Sequence, residues 1–206
     1  MTRLAHSALV CAALLFAGPS VYAQHAHGGT APAAAGEGSV AEAFVVTGLR
    51  VGETPPPGSG VGRAGLRFAD GGYVSVVHGQ PFARGRAVFG GLVGYDAIWP
   101  LGAHRATELW TTVPLSLGGY RVPPGGYTLL ATPGERRWTL HVNARLGPHL
   151  ADEYQAFEDV ALVVATPEAA PETQEALRLS FDTDGGLALR VSWADTTVAF
   201  PFRRAD

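Results

Sequence analysis

Lysine is missing from this 206-residue chain, and its 15 basic residues of the Lys/Arg type are all arginine. That absence excludes Schiff-base catalysis and the lysine of a phosphate-binding loop. Coding bias toward Ala, Gly, Arg and Pro is the simple account of it. Cysteine is nearly missing too: Cys11 stands alone, so no disulfide framework is available and stability must come from packing. Charge is sparse, and the formal net charge of −3 leaves no electrostatic footprint for nucleic acid. After the amino-terminal segment, no apolar run approaches the ~20 residues that a membrane-spanning helix needs. The apolar fraction of 47% nevertheless supports a real core.

The first 23 residues read as an export signal. Arg3 supplies the positive charge, Leu4 to Gly18 is an apolar stretch interrupted by His6 and Ser7, and Val21-Tyr22-Ala23 places small residues at a signal-peptidase site. Cleavage is expected after Ala23, leaving a periplasmic or secreted protein with no membrane span. Cys11 lies in the middle of the apolar stretch rather than at its end, which excludes a lipoprotein anchor. Residues 24–39, rich in Ala, Gly, Pro and His, read as a flexible leader. Within it, His25 and His27 beside a free amino end form a weak candidate for copper or nickel, against the plainer reading of an unstructured tail.

Residues 40–206 read as one all-β domain. Val40 to Val51 suggests a first strand, and Glu53 to Gly62 a Pro/Gly loop. From Leu66 onward the hydrophobic period is two. Asp70-Gly71-Gly72 marks a hairpin between Gly65–Ala69 and Tyr73–Gly79. Tyr127, Leu129 and Ala131 alternate with polar residues, as do Trp138, Leu140 and Val142 beyond a turn at Pro133 to Arg136. Leu177, Leu179 and Phe181 precede a turn at Thr183 to Gly186, and Leu187, Leu189, Val191 and Trp193 follow it. Val198, Phe200 and Phe202 close the pattern, with Pro201 suggesting an edge strand. Alternation on one face means half-buried antiparallel sheet, and two such sheets must share their apolar faces. The expected fold is an antiparallel β-sandwich, jelly-roll or immunoglobulin-like, of about eight to ten strands. Only Leu150 to Asp159 has helical character, and only briefly.

Familiar catalytic strings are missing or misplaced. Gly60-Val-Gly62-Arg-Ala-Gly65 matches a dinucleotide fingerprint as letters, but three prolines precede it and a strand pattern follows, so no helix amino terminus meets a phosphate. There is no Gly-x-Ser-x-Gly elbow, no His-Glu-x-x-His and no acidic calcium loop. His78, His104, His141 and His149 lack metal-ligand spacing, and no carboxylate pair stands out as acid and base.

One segment departs from the pattern. His78 to Thr107, HGQPFARGRAVFGGLVGYDAIWPLGAHRAT, is Gly-rich, lacks alternation, and carries Arg84, Arg86, Tyr95, Trp99, His104 and Arg105. A long irregular connection inside a compact domain usually shapes a site. The competing account is a packed plug, with Phe89, Leu92, Tyr95 and Trp99 closing one end of the sandwich.

In this segment and beyond it, the chain resembles a family of exported bacterial proteins, the domain of unknown function 2911. The shared residues are Gly79 and Pro81, Gly85-Arg86, Phe89-Gly90-Gly91-Leu92-Val93, Tyr95, Trp99, Gly102-Ala103 and Ala106-Thr107. Pro124-Gly125-Gly126-Tyr127-Thr128-Leu129, Trp138 and Asn143 continue them, over roughly Tyr73 to Phe202. The family pattern has Tyr and Arg where this chain has His78 and Gln80, Arg where it has Pro100, and Asn-Glu where it has His104-Arg105. The aromatic and glycine framework is kept while the polar set differs. The resemblance implies export but no assigned activity.

Three functional classes follow. The first is a non-catalytic module binding a small molecule, glycan or peptide through His78, Gln80, Arg86, Trp99, His104, Arg105 and Glu108. His78 and Gln80, two apart on a strand, should project together, with His104, Arg105 and Glu108 converging where the segment returns. The second is a structural or assembly protein. The third is a hydrolase-type enzyme using His78, His104 or Glu108. No cofactor and no resident metal is indicated, and catalysis is the less favoured class.

Overall fold

The computed structural model of the protein describes residues 39–46 and 54–206. The export segment with Cys11, the leader with His25 and His27, and residues 47–53 lie outside the described residues. Eleven strands are present among the described residues: β1 (Val40–Val46), β2 (Gly60–Phe68), β3 (Tyr73–Gln80), β4 (Thr107–Thr111), β5 (Leu115–Leu117), β6 (Tyr120–Val122), β7 (Gly125–Thr132), β8 (Trp138–Asn143), β9 (Asp159–Ala165), β10 (Glu168–Asp182) and β11 (Ala188–Arg204). They form a seven-stranded sheet in the order β1-β2-β3-β4-β7-β8-β9 and a four-stranded sheet in the order β10-β11-β5-β6. Every pairing is antiparallel.

The alternation explains the architecture. Val74 and Val76 of β3, Leu109 of β4, Leu129 and Ala131 of β7, and Trp138, Leu140 and Val142 of β8 are buried. They meet Leu177 and Leu179 of β10, and Leu189, Val191, Trp193 and Phe200 of β11, in one apolar core. The all-β sandwich expected from the sequence is therefore the fold. The count is eleven because β5 and β6, three residues each, are too short to display a period.

Local readings are corrected in three places. Gly60 to Gly62 belongs to β2 rather than to a loop, so the fingerprint-like string lies wholly in a strand. Gly62 is a glycine because the ring of His78, its cross-strand partner, occupies the space of a β-carbon. Pro201 does not mark an edge: β11 lies between β10 and β5. The pairing of β11 to β10 runs out at Thr197 and that to β5 begins at Phe202, so the missing N–H at Pro201 interrupts neither ladder. The brief helical character near Leu150 resolves into two 3₁₀ turns, Ala151–Glu153 and Ala156–Glu158.

Those turns belong to a connection that folds over the outer face of β7 and β8. Gly147 N–H donates to Thr128 Oγ1 at 3.2 Å, and Asn143 Nδ2 donates to the Gln155 carbonyl at 3.1 Å. Thr128 and Leu130 alternate with the core residues of β7 and so face outward, yet both are fully buried.

Candidate functional site

Beyond Gln80 the chain leaves the seven-stranded sheet and reaches the other. Pro81 accepts from Leu177 N–H at 2.9 Å and Ala83 N–H donates to Glu175 at 2.8 Å, so residues 81–83 pair briefly with β10. A turn follows in which Val93 N–H donates to Val88. The chain then crosses back, and Trp99 exchanges both backbone hydrogen bonds with Ala131, each 2.8 Å. Thr107 Oγ1 donates to the Leu101 carbonyl at 2.9 Å, and β4 begins. The return is clamped at Gly79, where a β-carbon would lie 1.8 Å from the Ala103 carbonyl oxygen. Residues 81–106 therefore bridge the two sheets and close one end of the sandwich.

Aromatic rings fill that end. Phe89 meets Trp138 edge-on at a centroid distance of 4.7 Å, and Trp99 stacks on Trp193 at 5.9 Å with an interplanar angle of 20°. The expected plug is half realised. Phe89 and Trp99 pack inward, whereas Leu92 and Tyr95 stay at the surface. Backbone strain is concentrated in the same place. Of the five non-glycine residues with positive φ among the described residues, Arg84 (52°), Asp96 (57°), Leu101 (54°) and His104 (64°) lie in this segment. Such conformations are uncommon for side-chain-bearing residues and cluster at functional sites.

The seven residues nominated from the sequence divide into three groups. His78 and Gln80 do project together, but into the core. Both are buried, with Gln80 Nε2 donating to the Leu177 carbonyl at 3.1 Å and His78 Nδ1 donating to the Gly79 carbonyl at 3.0 Å. Burial lowers the His78 pKa to about 4, partly offset by the Gly79 hydrogen bond, so its imidazole is neutral at pH 7. Arg86, Trp99 and His104 line one hollow of about 470 Å³ together with Arg84, Phe82, Leu92 and Trp193. Arg105 and Glu108 line a second, of about 390 Å³, with Val77 and His149. His104 borders both. Glu108 pairs directly with Val77 and therefore faces outward, opposite to His78. The set His78, His104 and Glu108 thus does not assemble around one substrate.

The first hollow has a definite chemistry. Arg86 is fixed from within, its Nε donating to the Ala83 carbonyl at 2.9 Å and its Nη2 to the Phe82 carbonyl at 2.9 Å. Arg84 is fixed through Nη2, which donates to the carbonyls of Pro56 and Gly58 at 2.6 and 2.8 Å. Neither guanidinium takes part in any of the four salt bridges among the described residues. Two oriented guanidinium groups outside any salt bridge thus line the same hollow as Trp99 and Trp193, with Arg84 lying over the Phe82 ring at 5.6 Å and its backbone N–H donating to Glu175 Oε1 at 2.8 Å. Arg84 and Trp193 were not nominated from the sequence. Trp193 reads there as one more core residue of an alternating strand, and only the stacking on Trp99 brings it to the hollow. Another hollow of about 470 Å³, lined by Tyr95, Asp96, Gly134, Glu135, Arg136 and Arg137, mixes both charge signs at the β7–β8 turn. Among the described residues, no group of three or more His, Cys, Asp or Glu side chains is placed to hold a metal ion. No described helix is long and apolar enough to cross a membrane.

Fold and hollow together define an antiparallel β-sandwich closed at one end by a strained, aromatic, arginine-bearing segment. A family model described as protein of unknown function (DUF2911) matches residues 66–202, and the chain belongs to that family. Comparison with curated proteins and with solved structures gives no match.

Proposed function

We propose that the protein is exported and that the hollow lined by Arg84, Arg86, Trp99 and Trp193 is a non-catalytic site for a small molecule joining an anionic group to a flat apolar body. The observation that carries this reading is that the guanidinium groups of Arg84 and Arg86, both outside every salt bridge among the described residues, share one hollow with the Trp99–Trp193 stack, although the Arg84 backbone N–H holds the Glu175 carboxylate at 2.8 Å. A planar guanidinium binds carboxylate or phosphate through paired hydrogen bonds, and an indole offers apolar area with little entropy to lose. A hollow of about 470 Å³ falls within the range of small-molecule sites. The strained backbone at Arg84 and His104 fits a site held in shape before the ligand arrives. Glycans and peptides with an acidic group satisfy the same chemistry at one end. Export is supported by Arg3, the apolar stretch to Gly18 and the small residues around Ala23.

A thermal-shift screen on the mature protein tests the reading, with aromatic carboxylates, sugar acids, organic phosphates and neutral glycans as separate arms. A ligand that binds only the native state raises the melting point. The expected result is a rise confined to the anionic arms and abolished by the double substitution Arg84→Gln with Arg86→Gln. A rise that survives the double substitution, or one seen only with neutral glycans, sinks the proposal.

A further inference from the structure

A second constellation lies on the outer face of β7 and β8, outside the hollow described above. Thr132 Oγ1 is 2.9 Å from His141 Nε2, and His141 Nδ1 is 2.9 Å from Asp159 Oδ2. Asp159 accepts two more bonds, from Tyr154 O–H on Oδ2 at 2.5 Å and from Asn143 Nδ2 on Oδ1 at 2.9 Å. The side chains of His141 and Asp159 are 12% and 8% exposed, so both are largely shielded from solvent.

Hydrogen-bond chemistry fixes the protons. An ionised Asp159 only accepts, so His141 must carry its proton on Nδ1. In the neutral imidazole Nε2 is then the lone pair, and the Thr132 hydroxyl meets it as donor. Tyr154 supports this assignment: burial, reinforced by the hydrogen bond and charge of Asp159, raises its pKa and holds it as the protonated donor. The orientation is that of an activated hydroxyl: nucleophile to base, base to a carboxylate held by further donors. The β-ladder sets the spacing. Thr132 pairs with Thr139 and Leu130 with His141, so Thr132 and His141 are diagonal neighbours on one face of the sheet.

We propose that Thr132, His141 and Asp159 form a nucleophile–base–orienter relay that transfers acyl groups from activated esters. Thr132 Oγ bonds to the acyl carbon as its proton passes to His141 Nε2. The ester C–O bond breaks, and the leaving oxygen takes that proton. Water then attacks the acyl-threonine, giving its proton to Nε2. The freed carboxylic acid departs, and the Thr132 oxygen recovers a proton from His141. Asp159 keeps the imidazole in its Nδ1–H form and offsets the transient imidazolium.

The chain suits a direct test, because with no lysine the amino terminus is the single amine that background acetylation can reach. Purified protein is mixed with p-nitrophenyl acetate. Phenolate release is followed, and the acetyl group is located by peptide mass spectrometry. The expected result is acetylation at Thr132, abolished by Thr132→Val, retained by Thr132→Ser, and slowed about a hundred-fold or more by His141→Gln. Melting curves accompany each variant. If His141→Gln proves unstable, the Val and Ser replacements at Thr132 carry the test alone. Absence of acetyl on Thr132 in folded protein, or release unchanged in Thr132→Val, overturns the proposal and leaves the network as an anchor for the connection over β7 and β8.

Discussion

Gly62 stands across the β2–β3 pair from His78, and a methyl group on Gly62 would lie 2.1 Å from His78 Nε2. No L-residue fits there while the ring keeps its bond to the Gly79 carbonyl. Gly62→Ala should therefore lower stability by ~1–3 kcal/mol, the usual cost of overpacking a core. Gly94→Ala is the matched control, since its new methyl would lie 4.0 Å from the nearest atom, Ala97 Cβ, and should change stability within ~0.5 kcal/mol. Urea midpoints at pH 7 check both. Equal midpoints would show that the His78 ring has another resting place.

The same histidine makes stability depend on pH. In the unfolded chain its pKa is about 6.5, and burial lowers it to about 4 in the fold. The folded state holds the neutral form, so the unfolded state binds the proton first on acidification. The contribution is fully present above about pH 6.5 and is lost as pH falls toward about 4. The difference is worth ~3 kcal/mol. His78→Gln keeps a hydrogen-bond donor and removes the titration. Denaturant curves at pH 7 and pH 4.5 should show a smaller drop in the variant than in the parent, with carboxylate effects common to both. An identical drop would mean that His78 reaches water in the native state.

His78 also shows where the sequence is legible and where it stops. Strand periodicity correctly put His78 and Gln80 on one face, because side chains two apart must point the same way. Which face was not legible. That depends on the bare backbone of Gly60 and Gly62 across the ladder, and β2 was expected to start after them. Trp138 was legible as core because Leu140 and Val142 repeat its phase. Trp193 was legible as core for the same reason, yet its second role at the hollow depends on Trp99, 94 positions earlier in the chain. His141, Tyr154 and Asp159 carried no local signal at all. Their meeting depends on a connection that folds back over the outer face, and no short-range spacing records it.

The β7–β8 hairpin register can be checked by paired truncations. Trp138 is 1% exposed and packs edge-on against Phe89, while Thr139 faces outward and is half-buried. Trp138→Ala should cost ~3–5 kcal/mol. Thr139→Ala should stay within ~0.5 kcal/mol. Chemical denaturation of the two variants is sufficient, and equal destabilisation would place the register one residue out.

Leu101 and His104 share a left-handed backbone, with φ of 54° and 64°, but not an environment. Leu101 is fully buried, whereas His104 is exposed between two hollows. A left-handed conformation costs a side-chain-bearing residue ~1–2 kcal/mol, and glycine gives back ~0.5–1 kcal/mol through its greater unfolded-state entropy. At His104 little packing is lost, so His104→Gly should raise stability by up to ~1 kcal/mol. At Leu101 the same relief is outweighed by the cavity left behind, and Leu101→Gly should lower stability by more than ~2 kcal/mol. Urea unfolding with an unchanged slope measures both on one scale. If His104 is held in strain for the sake of the hollow, His104→Gly should also weaken whatever anionic ligand the thermal-shift screen finds. A glycine variant that is more stable and binds equally well would show that the strain at His104 serves the chain path alone.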